Sequence, residues 1–194
     1  MNHPPDPDAL HGHQIRTTWM GAEILTLADL WPDPARAMIV GVNPAPASVR
    51  AGHYYQGANG RTAMTRLQSA GLLPPSTGGF LDDAALAEGV GFTDVVKRPT
   101  ARAADLSSDE LRHGRNLLND QLAGRHVPLI ICVFRPAVDA ILGRSGLPGF
   151  QDARTGAGTL VFRMPGPYSP REDVDRVMAT LAGHLDGADG SGAG

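Results

Sequence analysis

Four groups of residues in this chain have the chemistry of a site. Asn43 stands directly before Pro44 in GVNPAPAS, and a following proline holds a residue in extended backbone. A rigid amide there can accept a hydrogen bond from water while donating elsewhere, so it can orient a nucleophile without being a strong base. Tyr54 and Tyr55 follow Gly52 and His53. Their rings could close a lid over the core or stack on a nucleic-acid base, a contact worth about 1–3 kcal/mol. His53 could touch a phosphate, orient a substrate or face solvent. In TDVVKRPTARAADLSS the cations Lys97, Arg98 and Arg102 follow Asp94, and Thr100 sits behind Pro99, where it could share a water with Asn43. Such a run reads as a solvated face or as a phosphate contact. In MPGPYSPRED, prolines on both sides of Gly166 leave the amides of Gly166, Tyr168 and Ser169 open, with Arg171 beside them. That turn fits phosphate at a helix start, and equally a tight strand-to-helix connection.

Positioning these groups requires strands that end beside them. RAMIVGV, GVGFTDVV, VPLIICVF and GTLVFRMP are apolar runs of strand length, and three of the four run straight into the loops just described. Between and after them, RTAMTRLQSAGLL, SSDELRHGRNLLNDQLAG, PAVDAILG and SPREDVDRVMATLAGHL read as helices, the second with Ser107 or Ser108 as its cap and Gly124 beyond its end. AEILTLADLW also has apolar residues at helical spacing. Strand and helix in alternation predict a mainly parallel four-stranded sheet in a three-layer α/β/α domain. Ligands of such sheets bind beyond the carboxyl ends of the strands, where the winding reverses. The loops of interest belong to that edge.

The chain has 194 residues, 42% hydrophobic and 19% charged, with a formal net charge of −3. This suits one domain, placed at 14–185, with residues 1–13 and 186–194 as polar, disordered tails. No apolar run reaches the roughly 18 residues of a membrane span, and the N-terminus lacks a signal-peptide pattern, so a cytoplasmic protein is expected. The single Cys132 excludes a four-cysteine zinc or iron-sulfur site and reads as a core residue. His3, His11 and His13 lie where nothing rigid is expected to hold them, so no metal and no cofactor are expected. No dimer face is apparent, and a monomer is expected.

In register, these motifs resemble the mismatch-specific uracil/thymine-DNA glycosylases of the uracil-DNA glycosylase superfamily. GVNPAPAS is similar to their Gly-Ile-Asn-Pro-Gly motif, GHYYQG to the loop that follows, GVGFTDVVKRPT to Gly-Phe-Thr-Asn-x-Val-x-Arg, DLSSDELRHGRNLL to the next helix and MPGPYSPRE to the minor-groove loop. The resemblance spans about residues 38–182. It implies a monofunctional enzyme of base-excision repair that flips uracil or a related damaged pyrimidine out of mispaired DNA and hydrolyses its N-glycosidic bond. Asn43 would position the water, with Thr100 as second partner. Gly41, Val42, Pro44, Ser48, His53, Tyr55, Phe92 and Asp94 would form the base pocket, Tyr55 stacking on the base. Lys97, Arg98, Arg102, Gly166, Pro167, Tyr168, Ser169 and Arg171 would hold DNA, with Tyr168 or Arg171 as the wedge.

Three departures bear on the chemistry. Ala45 replaces a glycine, ANGRTAM replaces an Asn-x-Phe-Trp segment, and Asp94 replaces an asparagine. An ionised Asp94 accepts hydrogen bonds but cannot donate to a carbonyl oxygen, and it repels a departing base anion. Altered base specificity, or a protein that binds DNA or a nucleobase with little catalysis, is therefore the alternative reading. An unrelated nucleotide-binding or hydrolase fold is disfavoured because GxGxxG, GxxxxGK[ST] and GxSxG are all absent.

Overall fold

The computed structural model describes residues 9–75 and 78–190. Its centre is a five-stranded sheet of β3 (Ala37–Gly41), β4 (Val90–Asp94), β5 (Leu129–Cys132), β7 (Leu160–Arg163) and the short β6 (Gly149–Phe150), in the order β4-β3-β5-β7-β6. The first four strands are mutually parallel, and β6 runs antiparallel to β7. These four are the strands expected from sequence. The fifth, β6, spans two residues, too short for a periodicity to register.

Two apolar layers follow from strand alternation, since successive side chains leave opposite faces. Ile39 and Ile131 face a core shared with α2 (Ala58–Ser69), α3 (Leu81–Ala87) and α6 (Arg171–Gly190), including Leu67, Ala85 and Leu181. Met38, Val40, Ile130 and Cys132 face α4 (Ser108–Ala123) and α5 (Arg135–Leu142), including Leu118, Leu122 and Val138. The four strands read as continuous apolar runs because both faces are covered. Helix α4 starts at Ser107, whose hydroxyl accepts from the Glu110 amide while Glu110 returns a bond to the Ser107 amide.

The segment AEILTLADLW departs from expectation. Its first part is β2 (Ala22–Leu27), paired with β1 (Gln14–Trp19) in a hairpin whose turn residues Met20 and Gly21 both have positive φ, 49° and 85°. That geometry matches the right-handed twist of the paired strands, and the turn signal outweighs an apolar spacing that fits either period. Beyond it, Leu30 exchanges both backbone hydrogen bonds with Phe92 and so covers the outer side of β4.

At the N-terminus, residues 9–13, expected to belong to the tail, reach the folded body: His13 donates its amide to Gly52 O at 2.7 Å and its carbonyl accepts from the Ala28 amide at 2.8 Å. At the other end α6 continues to Gly190. Residues 1–8, with His3, and 191–194 lie outside the described residues. Among the described residues no helix is long and apolar enough to cross a membrane.

Candidate active site

Because β3, β4, β5 and β7 are parallel, their carboxyl ends share one edge, and the segments leaving them line one cleft of about 710 Å³. Gly41 to Ala45 follow β3, Asp94 ends β4, Val133 to Pro136 follow β5, and Arg163, Met164, Gly166 and Pro167 leave β7. Tyr54, Tyr55 and Gly57 to Gly60 close one side, and Thr100 to Ala103 the opposite side.

Asn43 is held by its amide hydrogens. Its Nδ2 donates to Thr100 Oγ1 at 2.8 Å, with longer contacts of 3.3–3.5 Å to the carbonyls of Pro44, Arg98 and Thr100. Only an NH₂ group can donate to these oxygens, which orients the amide and leaves Oδ1 without a protein partner among the described residues. The Thr100 hydroxyl spends its own hydrogen on Arg102 O at 2.8 Å. Thr100 therefore braces Asn43 and has no hydrogen left to give a water.

Asp94 ends β4 directly beside Gly41, its register partner. A Cβ at Gly41 would collide with Asp94 Oδ1 and stand 2.9 Å from the Tyr55 hydroxyl, so only glycine fits beneath this pair. The Asp94 carboxyl is 4% exposed and has no hydrogen-bond partner among the described residues; its carbonyl accepts from Lys97 Nζ. Burial pushes the carboxyl up from its ordinary 3.8 to about 7, against the pull of Lys97 and with a smaller push from Asp29. At neutral pH it exists in both forms.

Tyr54 and Tyr55 divide their tasks. Tyr54 is a core residue: it stacks on Phe92 with ring centroids 5.4 Å apart, and its hydroxyl donates to Ala28 O at 3.0 Å. Tyr55 takes a left-handed φ of 58°, which turns its side chain from the loop into the cleft. Gly60 makes room, since a Cβ there would come within 2.9 Å of the Tyr55 Cα and carbonyl. The Tyr55 hydroxyl is buried without a hydrogen-bond partner among the described residues, and burial followed by Asp94 raises its pKa.

Other candidates land elsewhere. Phe92 is 1% exposed and lies under the tyrosine pair, outside the cleft lining. His53 points away from the cleft: its ring stacks on Phe80 at 3.5 Å, and Nδ1 meets Asp82 Oδ1 at 3.0 Å. Ser48 lines the cleft, but its hydroxyl accepts from the Gln56 amide and holds the loop. Gly41, Val42 and Pro44 line it as well.

Among the cations, Lys97 is paired with Asp29 at 2.5 Å, and Arg98 forms a two-pronged pair with Glu110 at 2.5 and 2.8 Å. Both brace internal carboxylates, so neither is a free contact for phosphate. Arg102 remains at the cleft, 78% exposed and paired with Asp105. In the loop after β7, Ser169 N bonds Gly166 O at 3.2 Å, and Arg66 Nη1 from α2 donates to the carbonyls of Pro165 and Gly166 at 3.0 Å. Gly166 and Pro167 face the cleft, and Tyr168 projects at the tip, 89% exposed. Arg171 lies on the first turn of α6, 3.6 Å from Asp175 and followed by Glu172 and Asp173, so acids already occupy that helix end.

The cleft also contains Asn59, Phe134, Arg135 and Arg163, which the sequence reading did not single out. Phe134 and Arg135 follow β5, and Arg163 ends β7, so the strand-end rule applied to all four strands would have reached them. Residues 28–179 match the family model for the uracil DNA glycosylase superfamily.

Proposed function

The chain belongs to the uracil DNA glycosylase superfamily, and on that premise we propose that it is a monofunctional DNA glycosylase removing uracil or a related damaged or mispaired pyrimidine in base-excision repair. The observation that carries this reading is Asn43: an amide fixed through its NH₂ hydrogens, with Oδ1 without a protein partner among the described residues, in a cleft of about 710 Å³. Oδ1 accepts a hydrogen bond from a water and aims the lone pair of its oxygen at C1′. The glycosidic electron pair leaves with the base nitrogen, the water oxygen bonds to C1′, and the released proton neutralises the base anion. With no carboxylate base next to Asn43 in the loop, orientation and exclusion of bulk water contribute most of the acceleration.

Tyr55 stacks on the extruded base, and Asp94 lies at its far edge. In its neutral form the Asp94 carboxyl presents one donor and one acceptor, the complement of a ring N–H beside a carbonyl as in uracil. Ionised, it offers only acceptors. Arg102, Arg135 and Arg163 line the cleft, Arg135 also bonded to Ser145 and Arg163 to Gly146, and on this reading their remaining N–H groups meet phosphates of the flipped nucleotide while the exposed Tyr168 fills the gap left in the duplex.

The test is incubation with duplexes carrying single G·U, G·T, ethenocytosine or hypoxanthine lesions, scored as alkali-labile abasic sites. A uracil or modified pyrimidine duplex is expected to yield product. Binding of every duplex with no product from any of them at high enzyme excess would favour a DNA-binding protein without catalysis.

A further inference from the structure

Behind the cleft, on the far side of the tyrosine loop, four side chains from three segments converge: His13 from the stretch before β1, His53 from the loop after α1 (Pro46–Ala51), and Asp82 and Asp83 from the first turn of α3. One donor atom from each lies within 4.8 Å of the other three. We propose that these residues form a structural binding site for a divalent transition ion of the zinc type.

Two hydrogen bonds hold the cluster together, His13 with Asp83 and His53 with Asp82, and a longer approach links each histidine to the other carboxylate. His13 Nε2 lies 2.7 Å from Asp83 Oδ1 and 3.8 Å from Asp82 Oδ2, while His53 Nδ1 lies 3.0 Å from Asp82 Oδ1 and 3.9 Å from Asp83 Oδ2. Each imidazole nitrogen thus faces both carboxylates. With zinc–ligand bonds of about 2.0–2.2 Å, a tetrahedral site has ligand atoms roughly 3.4 Å apart, and one donor atom from each of the four side chains already lies within 4.8 Å of the others, within reach of small side-chain rotations. Two imidazoles with two carboxylates suit zinc and its neighbours, whereas magnesium and calcium prefer oxygen alone.

Charge gives an independent argument. The Asp82 side chain is 1% exposed and adjoins a second carboxylate, yet no Lys or Arg pairs with either among the described residues. A buried carboxylate beside a like charge needs a compensating cation. A divalent ion shared by the two carboxylates supplies it. The surroundings also fit. The Tyr54 amide donates to Asp82 Oδ2 at 2.7 Å, holding that carboxylate so that Oδ1 turns toward His53. Phe80 covers the His53 ring, and Asp83, half exposed, leaves a route from solvent. The backbone of each histidine is pinned, His13 to Gly52 and Ala28, and His53 to Ser48 O at 3.1 Å.

A metal here would tie the N-terminal segment and α3 to the residue preceding Tyr54 and Tyr55. Its occupancy is independent of what the cleft cuts. The experiment is metal analysis of the dialysed full chain, zinc titration against a chromophoric chelator, and the visible spectrum after Co²⁺ substitution. Expected are one zinc per chain, tetrahedral Co²⁺ bands, and a rise in Tm with zinc. His13→Ala and Asp83→Asn should each weaken zinc by more than about 100-fold and remove the Tm response, while His126→Ala changes neither. Zinc bound no more tightly by the wild type than by the His13→Ala/Asp83→Asn variant would overturn the proposal. So would an octahedral Co²⁺ spectrum of the wild type, which needs no variant to fold.

Discussion

Asp94 is the cleft residue whose ionisation burial moves up to about 7, and the sign of its effect follows from that burial. Its pKa is raised from 3.8 to about 7 in the folded chain, so the native state keeps a proton that the unfolded state releases. Stability therefore falls as pH rises from about 4 to about 7 and levels off above that. Asp94→Asn has no such slope. We expect it to match wild type near pH 4 and to exceed it at pH 8 by on the order of 2–4 kcal/mol, measured by urea unfolding at both pH values. Equal pH slopes would show that Asp94 is not the strained group. In catalysis, a neutral Asp94 that reads a uracil edge predicts that uracil excision declines as pH rises through about 7, and that Asp94→Asn flattens the profile. An increase through the same range, abolished by Asp94→Asn, would instead make the ionised carboxylate the working form. That a carboxyl follows β4 was legible in the sequence. That it is buried without a partner, pressed against Gly41 and Tyr55, depends on the β3–β4 register and could only come from the fold.

At the scale of elements, the strap after β4 matters more than its charge suggested. Arg98 looks like a surface cation in the sequence, yet its guanidinium locks onto Glu110, which also closes the capping box of α4. The Arg98 hydrogen bonds, aided by Ser107 and opposed by burial, hold the Glu110 carboxyl down at about 2. Its contribution is therefore present above the ordinary 4.5 and is lost as pH falls through about 2. Glu110→Gln is expected to cost about 1–2 kcal/mol at neutral pH. It should also lower turnover, because the Arg98 and Thr100 carbonyls that orient Asn43 lie on the same strap. Unchanged single-turnover rates in a destabilised variant would separate the strap from the site. For the loop after β7, Tyr168→Ala should slow excision from duplex more than from single strands, and an equal loss on both would remove Tyr168 as the wedge. The motif order made this loop visible in advance. Its anchoring by Arg66 from α2 was not visible, because it joins residues about 100 positions apart.

For the whole molecule, the sheet edge was the most legible feature: four apolar runs, three of them ending in unusual residues, placed the cleft at their carboxyl ends. The opening hairpin was misjudged because Ile24, Leu25, Leu27 and Leu30 satisfy helical spacing as well as a strand, and the Met20–Gly21 turn decides the matter. His53 was misplaced for a related reason: adjacency to Tyr54 and Tyr55 in sequence puts it at the loop, while backbone direction turns it away from them. With a net charge of −3 and only Arg102, Arg135 and Arg163 among the cleft-lining cations, DNA binding should release few counterions. We expect log K to fall with log salt with a slope of about −3, and a slope of −6 or steeper would point to a phosphate-binding face outside this cleft.

If the cleft hydrolyses a glycosidic bond with a water held by Asn43, as proposed, the effect must show in the single-turnover rate of Asn43→Ala on a G·U duplex, read beside its affinity for that duplex. Wild type should convert the duplex to an abasic product, and the variant should bind with similar affinity but react more slowly by roughly 100-fold or more, as on losing one positioned catalytic group. A variant that cuts at the wild-type rate would contradict the proposal.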